Sequence, residues 1–410
     1  MELFGGSYRI QDIDIADLAG KYGTPLYVYD GHKILHQLKA IRTAFSASDV
    51  RIKYAAKALT NLSVLKLLRN AGSDVDVVSI EEAKLALHAG FEPKQIMYTP
   101  SGVSFDEIVE CVALGLTINI DNIPTLEKFG SKYGDTYPCS VRLNPHIMAG
   151  GNYKISTGHT HSKFGISIAQ LSEIKRVVQR YHMRINGLHV HTGSDITDSE
   201  VFLKMAQVLF DIAVDFPDLR FIDMGSGFKV AYKEGDATTN IYDLGLKLTR
   251  EFNAFCQRYG RKLELHFEPG KFIVSEAGIL LARVNVVKPT PLLTFVGVDS
   301  GFNHLARPMM YDAWHDIVNI SNPTGPQKVY TIVGYICETD TFASDRKLNE
   351  VREGDLLAIK NAGAYGFSMA SNYNSRLRPA EVLIYNGQAH VIRHRETFED
   401  LLRHQPDIDF

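Results

Sequence analysis

Short apolar runs alternate with helical patterns from about residue 50 to 270, and this alternation constrains the fold more than any other feature of the sequence. Eight runs have the length and composition of buried strands: IKYAAK (52–57), DVDVVS (74–79), QIMYTP (95–100), TINID (117–121), CSVRLNP (139–145), GLHVHTG (187–193), FIDMG (221–225) and LHFEPG (265–270). Eight strands that each lead into a helix or a long crossover predict an α/β fold, a closed parallel (β/α)8 TIM barrel. An open doubly wound sheet is the alternative, although its glycine-rich fingerprint does not follow the first run.

The pattern changes after about residue 280, where strands alternate with turn residues and long helical segments are missing. The stretch IYNGQAHVI predicts a hairpin, because Asn386-Gly387 suits a type I′ turn. The early strand PLYVYD is expected to join this C-terminal β-domain, which is Greek-key or β-barrel-like, because the barrel already has eight strands. The expected domains are residues 30–278 for the barrel and residues 1–29 plus 279–410 for the β-domain.

Composition and charge exclude several classes of protein. Apolar residues make up 45% and charged residues 22% of the 410 residues, as in ordinary globular proteins. The formal net charge of −3 gives no reason to expect nucleic acid or an anionic membrane as a partner. No apolar run approaches the roughly 20 residues that span a bilayer, and the N-terminus lacks the regions of a signal peptide. We therefore expect a cytoplasmic protein with free cysteines.

Polar residues stand where the predicted strands end, and the active sites of such barrels lie at the C-terminal ends of the strands. Lys57 follows the small residues Ala55 and Ala56 on the first strand. Desolvation there would lower the pKa of its amine and free it as the nucleophile of a Schiff base. The alternative is an ordinary surface lysine.

Two histidines of LHVHTGSD, His189 and His191, alternate on one strand, so only one of them is expected to face the barrel centre. His-x-His is also the spacing of metal hydrolases, which makes a zinc-type hydrolase the competing hypothesis. Since the predicted strand ends offer no second histidine ligand, we expect no metal. An inward His191 beside Gly193-Ser194 suits stacking on a planar ring.

The last two barrel strands end in a glycine turn and a charged segment. Gly225-Ser226-Gly227 follows the seventh strand, where backbone N–H groups can bind a phosphate. Glu268-Pro269-Gly270-Lys271 follows the eighth, and a buried glutamate there needs a partner. An amine, a stacking ring, a phosphate cradle and a carboxylate are the four groups that pyridoxal 5′-phosphate requires.

Six motifs in this order resemble the alanine-racemase-fold (fold-type III) pyridoxal phosphate decarboxylases. They are YAAKALTNLSVLKLL, HVHTGSDI, DMGSGF, EPGKF, CETDTF and GAYGFSMASNYNSRLRPAEVL, and the similarity runs from about Thr24 to Leu402. The last motif is highly specific and the others moderately so. The resemblance implies a barrel with a β-domain that also uses N-terminal residues, and a homodimer with shared active sites.

The resemblance also implies a role for each matching position. Lys57 would bind the cofactor aldehyde and Cys337 would be the proton donor that reaches across from the other subunit. The implied cofactor-binding residues are Lys57, His191, Ser194, Gly225, Ser226, Gly227, Glu268, Pro269, Gly270, Lys271 and Tyr365. The implied substrate-binding residues are Lys271, Arg307, Tyr311, Glu338 and Tyr365. Lys271 departs from the family, which usually has arginine at this position. A bidentate contact of a guanidinium would therefore become a single hydrogen bond of an ammonium.

The implied activity is decarboxylation of an α-amino acid. Arg307 could bind a substrate carboxylate and Glu338 a distal ammonium, which suits a substrate with a second amino-acid head group, such as meso-2,6-diaminopimelate, and L-lysine as product. The alternatives are a decarboxylase of ornithine, arginine or carboxynorspermidine, a racemase of the same fold, and a barrel protein that only carries the cofactor.

Overall fold

The computed structural model describes residues 1–147, 158–159 and 161–410. The chain divides into two compact units. The barrel unit consists of residues 35–230 and 237–273, and the sheet unit consists of residues 1–34, 231–236 and 274–410.

Eight parallel strands form a closed barrel. Their bounds are Val50–Ala55, Asp74–Val77, Ile96–Tyr98, Thr117–Ile120, Cys139–Asn144, Ile185–Val190, Phe221–Asp223 and Glu264–Phe267. Each strand pairs in parallel with its neighbours in the chain, and Leu265↔Val50 pairing joins the last strand to the first. The strand Ile166–Ser167 adds a short parallel pairing beside Cys139–Asn144. The predicted barrel is confirmed, and the closed ring rules out the open sheet.

Helices follow the barrel strands, and most begin at a polar residue whose side chain caps the first turn. Ser79, for example, accepts a hydrogen bond from the backbone N–H of Glu82, which satisfies one of the N–H groups that a helix start leaves without a partner. The helix Gly31–Ala44 precedes the first barrel strand. The helices that follow the strands are Leu62–Asn70, Ile80–His88, Phe105–Ala113, Ile123–Tyr133, Leu171–Arg180, Ser199–Ala213, Ile241–Tyr259 and the short Lys271–Val274. Among the described residues, no helix combines the length and the apolar character needed to cross a membrane.

The inner face of the barrel is unusually polar. Side chains of a strand alternate between its two faces, so the apolar residues Val75 and Val77 leave Asp74 and Asp76 on the other face, both buried. The same alternation buries His266 and Glu268 on the eighth strand and its end. The strands therefore bring charged side chains into the barrel interior, where each requires compensation.

The sheet unit has a long strand, Gly278–Pro289, at its centre. Around it lie the strands Leu26–Asp30, Thr294–Val298, Ile317–Asn319, Gln327–Val333, Thr341–Asn349, Leu356–Ile359, Ala380–Tyr385 and Gln388–Arg393. Leu26–Asp30 pairs antiparallel with the central strand and parallel with Ala380–Tyr385. The N-terminal strand thus joins the C-terminal sheet, as predicted. Short helices of this unit are Ile15–Tyr22, Arg307–Tyr311 and Phe398–Leu402.

Two local features of the sheet unit bear on the sequence-based predictions. Tyr385 pairs with Gln388, and the two residues between them, Asn386 and Gly387, have φ of 51° and 69°. Positive φ at both positions is the type I′ geometry, so the predicted hairpin is confirmed. The strands Glu2–Phe4, Ser7–Ile10 and Ile13–Asp14 form a small antiparallel sheet that the sequence reading missed.

Acid should destabilise the sheet unit through His304, whose imidazole is fully buried. Burial lowers the pKa of His304 to about 4, whereas its pKa in the unfolded state is near 6.5. Between these two values the unfolded state binds a proton that the folded state does not bind. Stability therefore falls as pH drops from about 7 to 5, by about 2 kcal/mol for this one group. The free energy of unfolding, measured at both pH values, should fall less in His304→Gln than in the unaltered protein.

The matched control for this measurement is His404→Gln, which replaces an exposed histidine of the C-terminal segment. It should leave the pH dependence as it is in the unaltered protein. An equal pH dependence in His304→Gln and the unaltered protein would contradict the assignment.

Candidate active site

Lys57 lies in a single 3-10 turn, Ala56–Ala58, that directly follows the first barrel strand. The side chains of Ala56 and Ala58 are buried, whereas that of Lys57 is 41% exposed. Its Nζ donates a hydrogen bond to Oδ2 of Asp76, 3.1 Å away and fully buried. The small flanking residues anchor the turn, and the ion pair directs an accessible amine towards the mouth of the barrel.

Glu268, just beyond the end of the eighth strand, has a different partner from its sequence neighbour Lys271. The side chain of Glu268 is 7% exposed. His189 Nε2 donates to its Oε2 over 3.0 Å. Among the residues that the structure describes, its Oε1 has no hydrogen-bond partner. A buried carboxylate oxygen without a donor is costly, so this oxygen is suited to accept a proton-bearing group of a ligand.

Three buried carboxylates share this end of the barrel interior. Burial and the charge of Glu268 raise the pKa of Asp76 to about 7, and they raise the pKa of Asp223 well above its ordinary value. Burial also acts to raise the pKa of Glu268, but His189 and Lys57 outweigh it and hold that pKa below its usual range. The negative charge is therefore concentrated on Glu268.

His191 packs on the glycine turn after the seventh strand. The backbone N–H of Ser226 donates to His191 Nδ1 over 3.2 Å, and burial lowers the pKa of His191 well below 6.5, so the ring is a neutral acceptor. A Cβ on Gly225, whose φ is +60°, would lie 2.8 Å from the ring. Glycine is thus required here for both the backbone conformation and the close approach of the imidazole.

The glycine turn offers fewer free backbone donors than its sequence suggests. Gly225 N–H donates to Oδ1 of Asp223, and Ser226 N–H donates to His191. Within the described part of the chain, the amide of Gly227 is the one in this turn to which no acceptor is assigned. Side chains must therefore contribute to any phosphate site here.

Lys271 begins the short helix after Pro269-Gly270 and forms an ion pair with Asp195. Its Nζ lies 2.7 Å from Oδ1 of Asp195, and its side chain is 9% exposed. Asp195 follows Ser194 in the loop after the sixth strand and has a φ of +65°. The ion pair joins the loops after the sixth and eighth strands, both of which carry predicted cofactor-binding residues.

The remaining predicted residues belong to the sheet unit. Arg307 and Tyr311 are the ends of one short helix, and Arg307 is 6% exposed. Cys337 is exposed, and Asn374 Nδ2 donates to its Sγ over 3.1 Å. Tyr373 donates to Glu338 over 2.6 Å. Tyr365 has a φ of +56°.

Several residues of the site were missed by the sequence reading, above all His189. Alternation along a strand predicts that only one of the two histidines faces the barrel centre. His191, however, lies beyond the strand end, so both histidines contact other predicted site residues. Asp76 and Asp223 were missed as well. The available signal was a charged residue within an otherwise apolar strand, which is the sign of a buried group with a function.

His189, Asp223 and Glu268 also form a set that could ligate a metal ion, since one donor atom from each lies within 4.8 Å of the others. The predicted strand ends had offered no such set, because His189, Asp223 and Glu268 come together only in the folded barrel. The geometry alone is compatible both with a metal site and with a pyridoxal phosphate site. Similarity to known proteins distinguishes them.

Residues 31–275 match the family described as pyridoxal-dependent decarboxylase, pyridoxal binding domain. The match covers more than half of the chain, and it includes the barrel strands and every site residue of the barrel unit described above. The chain belongs to the pyridoxal-dependent decarboxylases, and the buried carboxylate set is therefore interpreted as part of a pyridoxal phosphate site.

Full-length relatives define the family more closely. A diaminopimelate decarboxylase of Methanothermobacter thermautotrophicus is 40% identical over 98% of this chain and 96% of its own length. The structure of diaminopimelate decarboxylase from M. jannaschii in complex with L-lysine has a TM-score of 0.90 at 31% identity, with 99% of this chain and 98% of the other covered. That from Helicobacter pylori, also with L-lysine, has a TM-score of 0.87 at 35% identity and covers 95% and 98%. Within its class, the chain belongs to the diaminopimelate decarboxylase family.

Gly225→Ala should impair the site, because the added Cβ would lie 2.7 Å from the backbone carbonyl of Val190 and 2.8 Å from His191 Nδ1, so both must shift. We expect the dissociation constant for pyridoxal phosphate to rise at least about tenfold, which corresponds to about 1.4 kcal/mol. Fluorescence titration of the apoenzyme measures this constant, and thermal unfolding reports on the fold.

Gly235→Ala is the matched control, since Gly235 has a comparable φ of +78° and nothing within 4 Å of the added Cβ. Both variants bear the strain of a positive φ, but only in Gly225→Ala does the added Cβ meet Val190 and His191. Similar cofactor affinity in the two variants would contradict the proposed importance of the contact.

Proposed function

We propose that this protein decarboxylates meso-2,6-diaminopimelate to L-lysine and CO2 with pyridoxal 5′-phosphate as cofactor. The observation that carries the proposal is the full-length similarity to diaminopimelate decarboxylases, together with an accessible Lys57 and a buried anionic Glu268 in one barrel. The reaction completes lysine biosynthesis.

The residues of the barrel fit pyridoxal phosphate. Among the described residues Oε1 of Glu268 has no hydrogen-bond partner, so it is suited to a protonated ring nitrogen. Gly225 lets the backbone approach the His191 imidazole closely, which holds that imidazole in position to lie against a flat ring. When bound, the cofactor supplies an aldehyde for imine formation and a ring that accepts the electron pair left on the α-carbon when CO2 departs.

Lys57 would supply the amine that holds the aldehyde of the cofactor. Its ion pair with Asp76 positions the amine, and the pKa of Asp76 near 7 lets that carboxyl gain or lose a proton at working pH. The pair could therefore take up or release a proton next to the amine of Lys57.

Glu268 would hold a negative charge for the ring nitrogen of the cofactor. A neutral His189 donates to the other oxygen of the carboxylate, which fixes its orientation without neutralising it. A ring nitrogen that stays protonated withdraws electrons more strongly, so Glu268 would stabilise charge that develops as CO2 leaves.

The other barrel residues would hold the ring and the phosphate. His191 would lie against the ring, with Pro269 and Gly270 allowing close backbone approach. Ser194, Gly225, Ser226, Gly227 and Lys271 would surround the phosphate. Because Asp195 already pairs with Lys271, only part of the charge of Lys271 is available to a phosphate or a substrate carboxylate.

The sheet unit would supply substrate specificity and the final proton. Arg307 and Tyr311 would bind the distal carboxylate, Glu338 the distal ammonium, and Tyr365 both substrate and cofactor. The thiol of Cys337 would protonate the α-carbon in the active site of the other subunit of a homodimer. Exposure of Cys337 on the single chain is compatible with such a role.

We place the enzyme in the cytoplasm.

The second carboxylate distinguishes this substrate from those of related decarboxylases. Ornithine and arginine carry a cationic end without a carboxylate, so the buried Arg307 would have no anion to bind. A racemase would need a second base opposite Lys57, and Cys337 beside Glu338 is better suited to protonation after CO2 loss. Release of CO2 from meso-diaminopimelate, compared with ornithine and arginine, tests the proposal, and equal rates on all three would contradict it.

Lys57→Ala should abolish both CO2 release and the visible absorbance of the bound cofactor, because no amine remains for the aldehyde. Lys57→Arg is the matched variant, since it keeps the cation beside Asp76 but cannot form the imine. Both variants should be inactive in absorbance and CO2 assays. An active Lys57→Arg would mean that the charge, and not the amine, is what matters.

Lys271→Arg should strengthen cofactor binding by up to about tenfold, because the guanidinium can pair with Asp195 and still offer a second charge-assisted hydrogen bond. Titration of the apoenzyme with pyridoxal phosphate, and the KM for the substrate, measure the two contacts. Asp195→Asn, which frees the lysine, should act in the same direction. If neither variant alters either quantity, the departure from arginine is neutral.

A further inference from the structure

Arg307 is a buried cation with an unusual environment. Its side chain is 6% exposed, and among the described residues no carboxylate lies within ion-pair distance of it. Its guanidinium lies over the ring of Tyr232, 4.8 Å from the centroid. A desolvated positive charge is costly unless an anion compensates it. An anionic ligand that binds next to Arg307 would supply this compensation.

His315 contacts Arg307 directly. Arg307 Nη1 donates to His315 Nε2 over 3.2 Å, and His315 Nδ1 donates to the backbone carbonyl of Lys360 over 2.8 Å. The guanidinium has only donors and the carbonyl only acceptor lone pairs. These two partners require the tautomer with a proton on Nδ1 and a lone pair on Nε2.

The imidazole is held neutral as well as oriented. His315 is fully buried, and burial together with the charge of Arg307 lowers its pKa to about 3. Arg346 lowers it further, and Tyr232 packs edge-on with its ring centroid 5.6 Å away. Tyr232 is itself anchored by a hydrogen bond between its hydroxyl and that of Ser275, 3.2 Å apart.

A neutral acceptor does something that a carboxylate could not do. An aspartate at this position would neutralise Arg307 and leave little attraction for a ligand. The imidazole instead occupies one N–H of the guanidinium, fixes its plane and leaves the positive charge uncompensated. The other donors remain in the geometry that suits a carboxylate.

We propose that His315 is a positioning residue that holds Arg307 for the distal carboxylate of the substrate, with the Lys360 carbonyl setting its tautomer and Tyr232 supporting the guanidinium face. This inference rests on the proposed function, in which Arg307 binds that carboxylate. His315 would act on substrate affinity through Arg307 and would touch neither the cofactor nor the reacting carbon.

Two amide variants of the holoenzyme separate this role from a merely structural one. His315→Gln can place its carbonyl oxygen near the position of Nε2 and still accept from Arg307. His315→Asn reaches only the position of Nδ1, so it can donate to Lys360 but leaves Arg307 without an acceptor. For meso-diaminopimelate, we expect KM to rise at least about tenfold in His315→Asn and less than about threefold in His315→Gln. We expect kcat and cofactor absorbance to stay near those of the unaltered enzyme in both.

An equal rise in KM in the two variants, or a loss in kcat with KM unchanged, would overturn the proposal. Thermal unfolding of both variants shows whether a change reflects a damaged fold, and rescue of KM by glutamine alone is a result that a purely structural histidine would not give.

Nitrogen-15 NMR of histidine-labelled enzyme tests the tautomer independently of any substrate. The signals that disappear in His315→Gln belong to His315, and they should show a protonated Nδ1 and an unprotonated Nε2 from about pH 5.5 to 8. A protonated Nε2, or titration near pH 6.5, would overturn the positioning role even if the enzyme is active. Lack of CO2 release from diaminopimelate by the unaltered enzyme would instead contradict the proposed function, and the NMR result would still decide the state of His315.

Discussion

The hydrogen bond from His189 to Glu268 is the interaction on which the rest of the site depends. It joins the sixth and eighth strands across the barrel interior, satisfies one oxygen of a buried carboxylate and leaves the other without a partner among the described residues. Burial, together with the charge that Glu268 keeps, raises the pKa values of the nearby Asp76 and Asp223. One anion is thus maintained where three carboxylates converge, which is the condition for holding a protonated ring nitrogen in place.

A similar device holds a cation in the sheet unit. There the buried Arg307 is supported by an aromatic face and a neutral imidazole, so its charge stays available. In both units a buried charge is oriented by a histidine, His189 or His315. Burial lowers the pKa of each imidazole and so keeps it neutral. Such groups cost folding free energy in the absence of a ligand, and this cost is typical of sites whose binding energy comes from preorganised charges.

Much of the fold could be predicted because it follows from local patterns. The eight apolar runs gave the barrel, and Asn386-Gly387 gave the hairpin. The small N-terminal sheet was missed because its strands are short and half exposed. Partners of charged residues could not be predicted, since Lys271 pairs with Asp195 and Glu268 with His189 across many intervening residues. Lys271 is only three residues from Glu268 in the sequence, yet the folded barrel gives the two side chains separate partners.

The charge of Glu268 is the feature on which the proposed mechanism depends most. The most direct measurement is single-turnover CO2 release from meso-diaminopimelate by Glu268→Gln, at saturating pyridoxal phosphate, compared with the unaltered enzyme. Glutamine keeps the shape and the contact with His189 but removes the anion. We expect the rate to fall about a hundredfold, the size typical of losing one preorganised electrostatic contact in a transition state. A rate within about threefold of the unaltered enzyme, with the cofactor bound, would contradict the central claim.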